Sequence, residues 1–300
     1  MGSRNDWLIK LSNDELLWAT DLAEVPSMIG LAYSNLKRLA EEGQVYGLML
    51  QCKDLYESLY KIPIIMTLIV MDSDDEHKEG AAYSEILKAA LSMPMSMGQW
   101  DTLASVIVKK DKELHLPESL VGILKRTRKL YATEVTEDVP DIINWRNEAI
   151  GHGALRFEDS ESYQQEIMSL LLMLKEYFEG SGKYSIKGMY SALYFEVNGE
   201  KLIGNCDITP SDISEIKFLV DTREYQVGAY LSTHNLRCFL FDSFYSRKNI
   251  IKYSSYVDGQ SEIAHSKYFS DLYEKHVLKL GKDSKLQSEF ISREDDMILE

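Results

Sequence analysis

The chain has 300 residues, enough for one large domain or two of ordinary size. Hydrophobic residues make up 45% and charged residues 27%, a globular composition that excludes a disordered or collagen-like chain. Acidic residues outnumber basic ones 48 to 33, so the formal net charge is −15; this excludes whole-surface adhesion to nucleic acid or anionic membrane but leaves room for a local basic patch.

Six prolines point to long helices rather than a turn-dense all-β protein. From Pro26, apolar residues recur every three or four positions at Met28, Leu31, Ala32, Leu36 and Leu39, and Gly43 supplies a stop. A second helix carries Leu48, Cys52, Leu55 and Leu59 on one side, and Pro63 is expected to interrupt or kink it. The run from Ile64 to Met71 is apolar but too short to span a bilayer. The acidic run over 72–80 crowds Asp72, Asp74, Asp75 and His77, yet lacks the glycine and the terminal glutamate of an EF-hand loop, so it reads as a solvated connection.

Helices are expected over 81–92, 100–112, 117–131, 139–150 and 160–178, with a methionine-rich turn at Met93, Met95 and Met97. Short connections between helices make residues 1–180 a bundle. At residue 179 the pattern shifts. Strands over 189–197 and 200–208 read as a hairpin with a type I′ turn at Asn198-Gly199. A second pair covers 224–232 and 236–244, a fifth strand 249–257, and a helix 261–280 precedes an acidic tail expected to fray. The expected fold class is α+β: a helical bundle, then a small antiparallel-sheet domain over 181–300.

Cys52, Cys206 and Cys238 lie far apart and form no CxxC pair, which argues against a zinc ribbon or a disulfide framework and for a reducing, cytoplasmic setting. No export signal is legible at the start of the chain. His115, His234, His265 and His276 stand at no metal-ligand spacing, and no P-loop or nucleophile elbow occurs, so no metal or cofactor is expected.

One segment carries candidate chemistry: residues 143–155, INWRNEAIGHGAL. Its histidine, His152, lies between two glycines, and Arg146 and Asn147 precede it. An imidazole can move a proton near neutral pH, and a guanidinium can hold a phosphate and its developing charge. With the 2′-hydroxyl as built-in nucleophile, such a pair cleaves RNA and spares DNA. On an ideal helix Arg146 and His152 stand about 120° apart. They meet only if the helix breaks at Gly151 or two copies face each other across a twofold axis.

The plain alternative is that Arg146 pairs with Glu148, Asp141 or an acid elsewhere, and that His152 caps a helix C-terminus. Lys53, Asp54 and Glu57 can form a solvated stripe or support the site, since Lys53 and Glu57 stack at i, i+4. Between Ser105 and Tyr131 seven basic residues face three acids. Lys109, Lys110, Lys125, Arg126, Arg128 and Lys129 are therefore the best RNA-contact candidates in the chain.

The segment Arg146–His152, RNEAIGH, resembles the Arg-x(4–6)-His motif of the higher-eukaryote-and-prokaryote nucleotide-binding (HEPN) superfamily. The resemblance covers the helical half only. It implies a bundle that homodimerises and a metal-independent endoribonuclease of a toxin or antiviral-defence system. Arg146 and His152 would be its catalytic pair and Asn147 its polar companion. It also implies an acidic or basic side chain from an earlier helix, a role that Lys53, Asp54 and Glu57 fit. Gly153 stands where the toxin subgroup has tyrosine. The pattern is similar, too, to amino-terminal modules of larger defence proteins that sense or assemble with a partner protein rather than cut.

Overall fold

The computed structural model describes residues 5–73, 81–83, 85–86, 96–149, 160–197, 199–204 and 216–226. His152 with its flanking glycines, Cys206, Cys238, Met93, Met95, the expected strands over 236–244 and 249–257, and the helix over 261–280 lie outside the described residues.

Helix α1 (Asp6–Ser12) precedes α2 (Ser27–Glu41), which begins directly after Pro26, a residue with no N–H to leave unpaired. Gly43 takes a left-handed φ of 71° there, and Gln44 N–H donates back to the Leu39 carbonyl at 2.9 Å, so the chain reverses within three residues. Helix α3 (Val45–Ser73) then runs through Pro63 without interruption. Pro63 denies the Leu59 carbonyl its donor, but every residue from Ile62 to Met71 is buried. Packing on all sides outweighs one lost hydrogen bond. The Thr67 hydroxyl, fully enclosed, donates to the Pro63 carbonyl at 2.8 Å.

Helix α4 (Met97–Lys109) starts three residues before its expected position. The Ser96 side chain accepts from the Gln99 N–H while the Gln99 side chain accepts from the Ser96 N–H, a reciprocal cap that draws Met97 out of the presumed turn and into the helix. Helices α5 (Glu118–Tyr131), α6 (Ile142–Ala149) and α7 (Gln164–Glu179) follow, α7 entered through a 3₁₀ turn at Ser160–Tyr163. Helix α3 is the mast of the bundle and packs against α2, α4 and α5.

Beyond α7 the described chain forms a four-stranded antiparallel sheet in the order β2-β1-β3-β4, from β1 (Leu193–Val197), β2 (Glu200–Leu202), β3 (Ile216–Val220) and β4 (Arg223–Gln226). The β1–β2 hairpin pairs Val197 with Glu200, leaving a two-residue connection with Gly199 at φ 85°, as the Asn-Gly signal implied. Residues 189–192, expected as strand, instead form a 3₁₀ turn after Gly188. Strand β3 was not legible, and its partner begins at Arg223 after Asp221 and Thr222, both at positive φ. Leu193, Phe195, Phe218 and Val220 point inward and join the same hydrophobic cluster as the helices. The contact is pinned by a bridge between Pro26 and Ile203 and by Gly204 N–H donating to the Val25 carbonyl at 2.8 Å. The fold class is α+β, as expected. No described helix is long and apolar enough to cross a membrane.

Candidate functional site

Asp141 sets the direction of the motif helix. Its carboxylate accepts from the Asn144 N–H and the Asn144 side-chain amide, each at 2.8 Å, and its carbonyl accepts from Trp145 N–H, so the first turn of α6 is capped before the motif begins. Trp145 is then driven inward. Its ring meets Tyr56 of α3 edge-on at 6.1 Å, and its indole N–H donates to Glu166 of α7 at 3.2 Å. That anchor rotates the next residue, Arg146, towards α3.

There Arg146 Nε stands 3.4 Å from Glu57 Oε1. Glu57 also holds Lys61 Nζ at 2.7 Å and has Lys53 Nζ at 4.0 Å, while Lys53 pairs with Asp54 at 2.9 Å. Lys53, Glu57 and Lys61 follow one another at i, i+4 along one stripe of α3, so three cations from two helices surround a single carboxylate. Burial by itself would raise the Glu57 carboxyl above its ordinary value. The ammonium and hydrogen bond of Lys61, then Lys53 and Arg146, outweigh that and hold it below. The group therefore stays ionised through the neutral range. The four side chains retain between 15% and 23% of their exposure, so solvent reaches the cluster.

The guanidinium is incompletely used. Its Nε is enclosed and makes no hydrogen bond, because the approach to Glu57 lacks the required geometry, and its Nη1 donates to the neutral Asn147 side-chain oxygen at 3.2 Å. Of the plain alternatives, Asp141 is taken by the cap and Arg146 pairs with an acid elsewhere, Glu57. The structure thus brings Arg146, Asn147, Lys53, Asp54 and Glu57 into one neighbourhood; His152 lies outside the described residues.

Glu148 faces another way. With Trp145, Glu137, Asp138, Tyr163 and Glu166 it lines a cleft of about 330 Å³ between α6, the 136–139 turn and the start of α7. Four carboxylates and no described Lys, Arg or His border this cleft, the wrong sign for a phosphate. Among the described residues, no three His, Cys, Asp or Glu side chains come together as a metal group.

The basic segment is dispersed and largely engaged. Lys110 pairs with Glu85 at 2.7 Å and Lys125 with Asp111 at 3.2 Å. Arg126 donates to the Gly182 and Lys183 carbonyls, and Arg128 Nε to Asp101 at 3.1 Å. Lys109 and Lys129 are exposed on α4 and α5. Lys61, Asp101 and Glu166 escaped selection from sequence. For Lys61 a signal existed, since it repeats the Lys53–Glu57 spacing one turn on. Asp101 and Glu166 act across helices, which no local spacing announces. Comparison with protein-family models, with curated proteins and with solved structures finds no match for this chain.

Proposed function

We propose that this protein is a HEPN-like, metal-independent endoribonuclease of a bacterial defence or toxin system, acting as a homodimer on RNA. Arg146 holds the scissile phosphate and His152 moves the proton. Asn147 orients the guanidinium, and Glu57 with Lys53 supports it. The observation that carries this reading is the approach of Arg146 to within 3.4 Å of Glu57 beside two lysines of α3, a solvent-reachable cationic cluster next to the motif helix. Other parts of the proposal, a cytoplasmic location and a partner protein of the same defence system, follow from the resemblance and the composition.

A second reading is a catalytically silent module that senses or assembles. It is favoured by the acidic cleft on the other side of α6 and by the intramolecular pairing of Arg146. The two readings separate in an assay on mixed RNA in excess EDTA, comparing the parent with His152→Ala and Arg146→Ala. The enzyme predicts EDTA-resistant cleavage that falls by about 100-fold or more in either variant while both remain folded. No cleavage by the parent, or equal cleavage by all three, selects the silent module. Expression toxicity of the same three proteins in cells covers the case of a nuclease held inactive in isolation.

A further inference from the structure

We propose that Lys61, Lys53 and Arg146 form one oxyanion site and that the Glu57 carboxylate occupies it in the ligand-free protein, so that a phosphate group binds by displacing this internal competitor. The inference rests on the reading of Arg146 as the phosphate-holding group and adds two things to it: a cation, Lys61, and a built-in occupant.

Charge comes first. Lys53, Lys61 and Arg146 bring three cationic groups to the Glu57 carboxylate, with Asp54 paired to Lys53, in a chain whose net charge is −15. A carboxylate needed only to neutralise α3 locally would be matched by one lysine at i, i+4; here a second helix delivers a further cation to the same oxygen pair. Donor geometry comes second. Arg146 approaches side-on through Nε without closing a hydrogen bond, and its Nη1 rests on a neutral amide oxygen. The two-pronged grip that a guanidinium offers an oxyanion is therefore unspent. A phosphate presents more acceptor oxygens than a carboxylate and can take Lys61 Nζ and both arginine donors together. Access comes third: every member keeps some exposure, so an anion can enter from solvent without unfolding a helix.

The test is binding rather than cleavage. Inorganic phosphate is titrated by ³¹P NMR, and a single-stranded deoxyoligonucleotide by fluorescence anisotropy. The latter lacks the 2′-hydroxyl and reports a phosphodiester without turnover. Glu57→Gln keeps the side chain's length and a hydrogen-bond acceptor for Lys61 but removes the competing charge. It should tighten binding by about tenfold, and Lys61→Gln should weaken it by a similar factor. Tightening with phosphate alone marks a small-anion site; tightening with both probes marks a nucleic-acid backbone. Unchanged or weaker binding by a folded Glu57→Gln protein overturns the proposal and leaves Glu57 a structural counter-ion, as does the absence of binding by every variant. Should Glu57→Gln not fold, Glu57→Asp withdraws the carboxylate by one methylene and should tighten binding by about threefold. Phosphate binding without RNA cleavage would leave this site standing and end the nuclease reading. Cleavage lost in His152→Ala, with anion binding indifferent to Glu57 and Lys61, would do the reverse.

Discussion

Arg128 illustrates how a charged residue read from sequence as a surface contact is spent inside the fold. Its Nε and the Tyr60 hydroxyl both donate to Asp101 Oδ1, at 3.1 and 2.5 Å, tying α3, α4 and α5 at one point. Tyr60 is buried, and burial, then the hydrogen bond and charge of Asp101, keeps its phenol protonated far beyond the neutral range. Arg128→Ala leaves Asp101 with one partner fewer and should lower stability in urea unfolding by about 1–2 kcal/mol. Lys129→Ala, one residue on and exposed, should stay within about 0.5 kcal/mol of the parent. A loss of RNA binding in Arg128→Ala at unchanged stability would contradict this assignment. Glu179 is a second such residue. Its Oε1 accepts from the Thr20 N–H, from Asp21 N–H at 2.6 Å and from the Thr20 hydroxyl at 3.1 Å, fastening the segment after α1 to the end of α7. Burial would raise this carboxyl, but the Asp21 and Thr20 donors and then Lys175 lower it below its ordinary 4.5. A carboxyl depressed in the folded state stabilises fully above that ordinary value and loses its contribution as pH falls through the folded one. Unfolding free energy measured from pH 6 down to pH 3 should therefore fall less steeply in Glu179→Gln than in the parent.

At the scale of elements, apolar spacing was the most legible signal. It placed α2, α5 and α7 within a few residues, because a stripe at three- and four-residue intervals has one solution when one face is covered. Of the two outcomes open at Pro63, interruption does not occur, because burial overrides a local breaker in α3, and the start of α4 was misjudged at Met97, where a cap reaches further than the turn composition suggested. The β1–β2 hairpin was legible because Asn-Gly meets its backbone demand directly. The β3–β4 hairpin was not, since its turn is Asp221-Thr222, with φ of 47° and 70°. A β-branched residue is a poor occupant of that region. Ser119 donates to the Asp221 carboxylate at 3.0 Å, which ties the turn to the start of α5. Thr222→Gly removes the strain and keeps this tie, and should raise stability by about 1 kcal/mol, read from the urea midpoint. A lower midpoint would mean that the threonine side chain contributes more than its backbone costs. The candidate site divides the same way: Lys53 and Glu57 are legible along one helix, whereas their meeting with Arg146 depends on how α6 crosses α3.

Across the whole molecule, bundle and sheet share one apolar interior. Leu193, Phe195 and Phe218 are fully enclosed, and the same cluster holds Leu48 and Leu59 of α3 and Leu124 of α5. Separating the chain after residue 180 would uncover that face on both sides. A 1–180 fragment should bind a dye such as ANS strongly, and adding residues 181–300 in trans should reverse it; a fragment as dye-silent as the parent would mean that the sheet is dispensable to the interior. The strap from Val25 and Pro26 to Ile203 and Gly204 has a consequence for synthesis. At about 5–20 residues per second, position 203 leaves the ribosome on the order of 10–35 s after position 26. For that interval the oily flank around Val25 and Met28 waits without its lid, and a nascent chain stalled in the middle of its message would present that flank to chaperones and proteases.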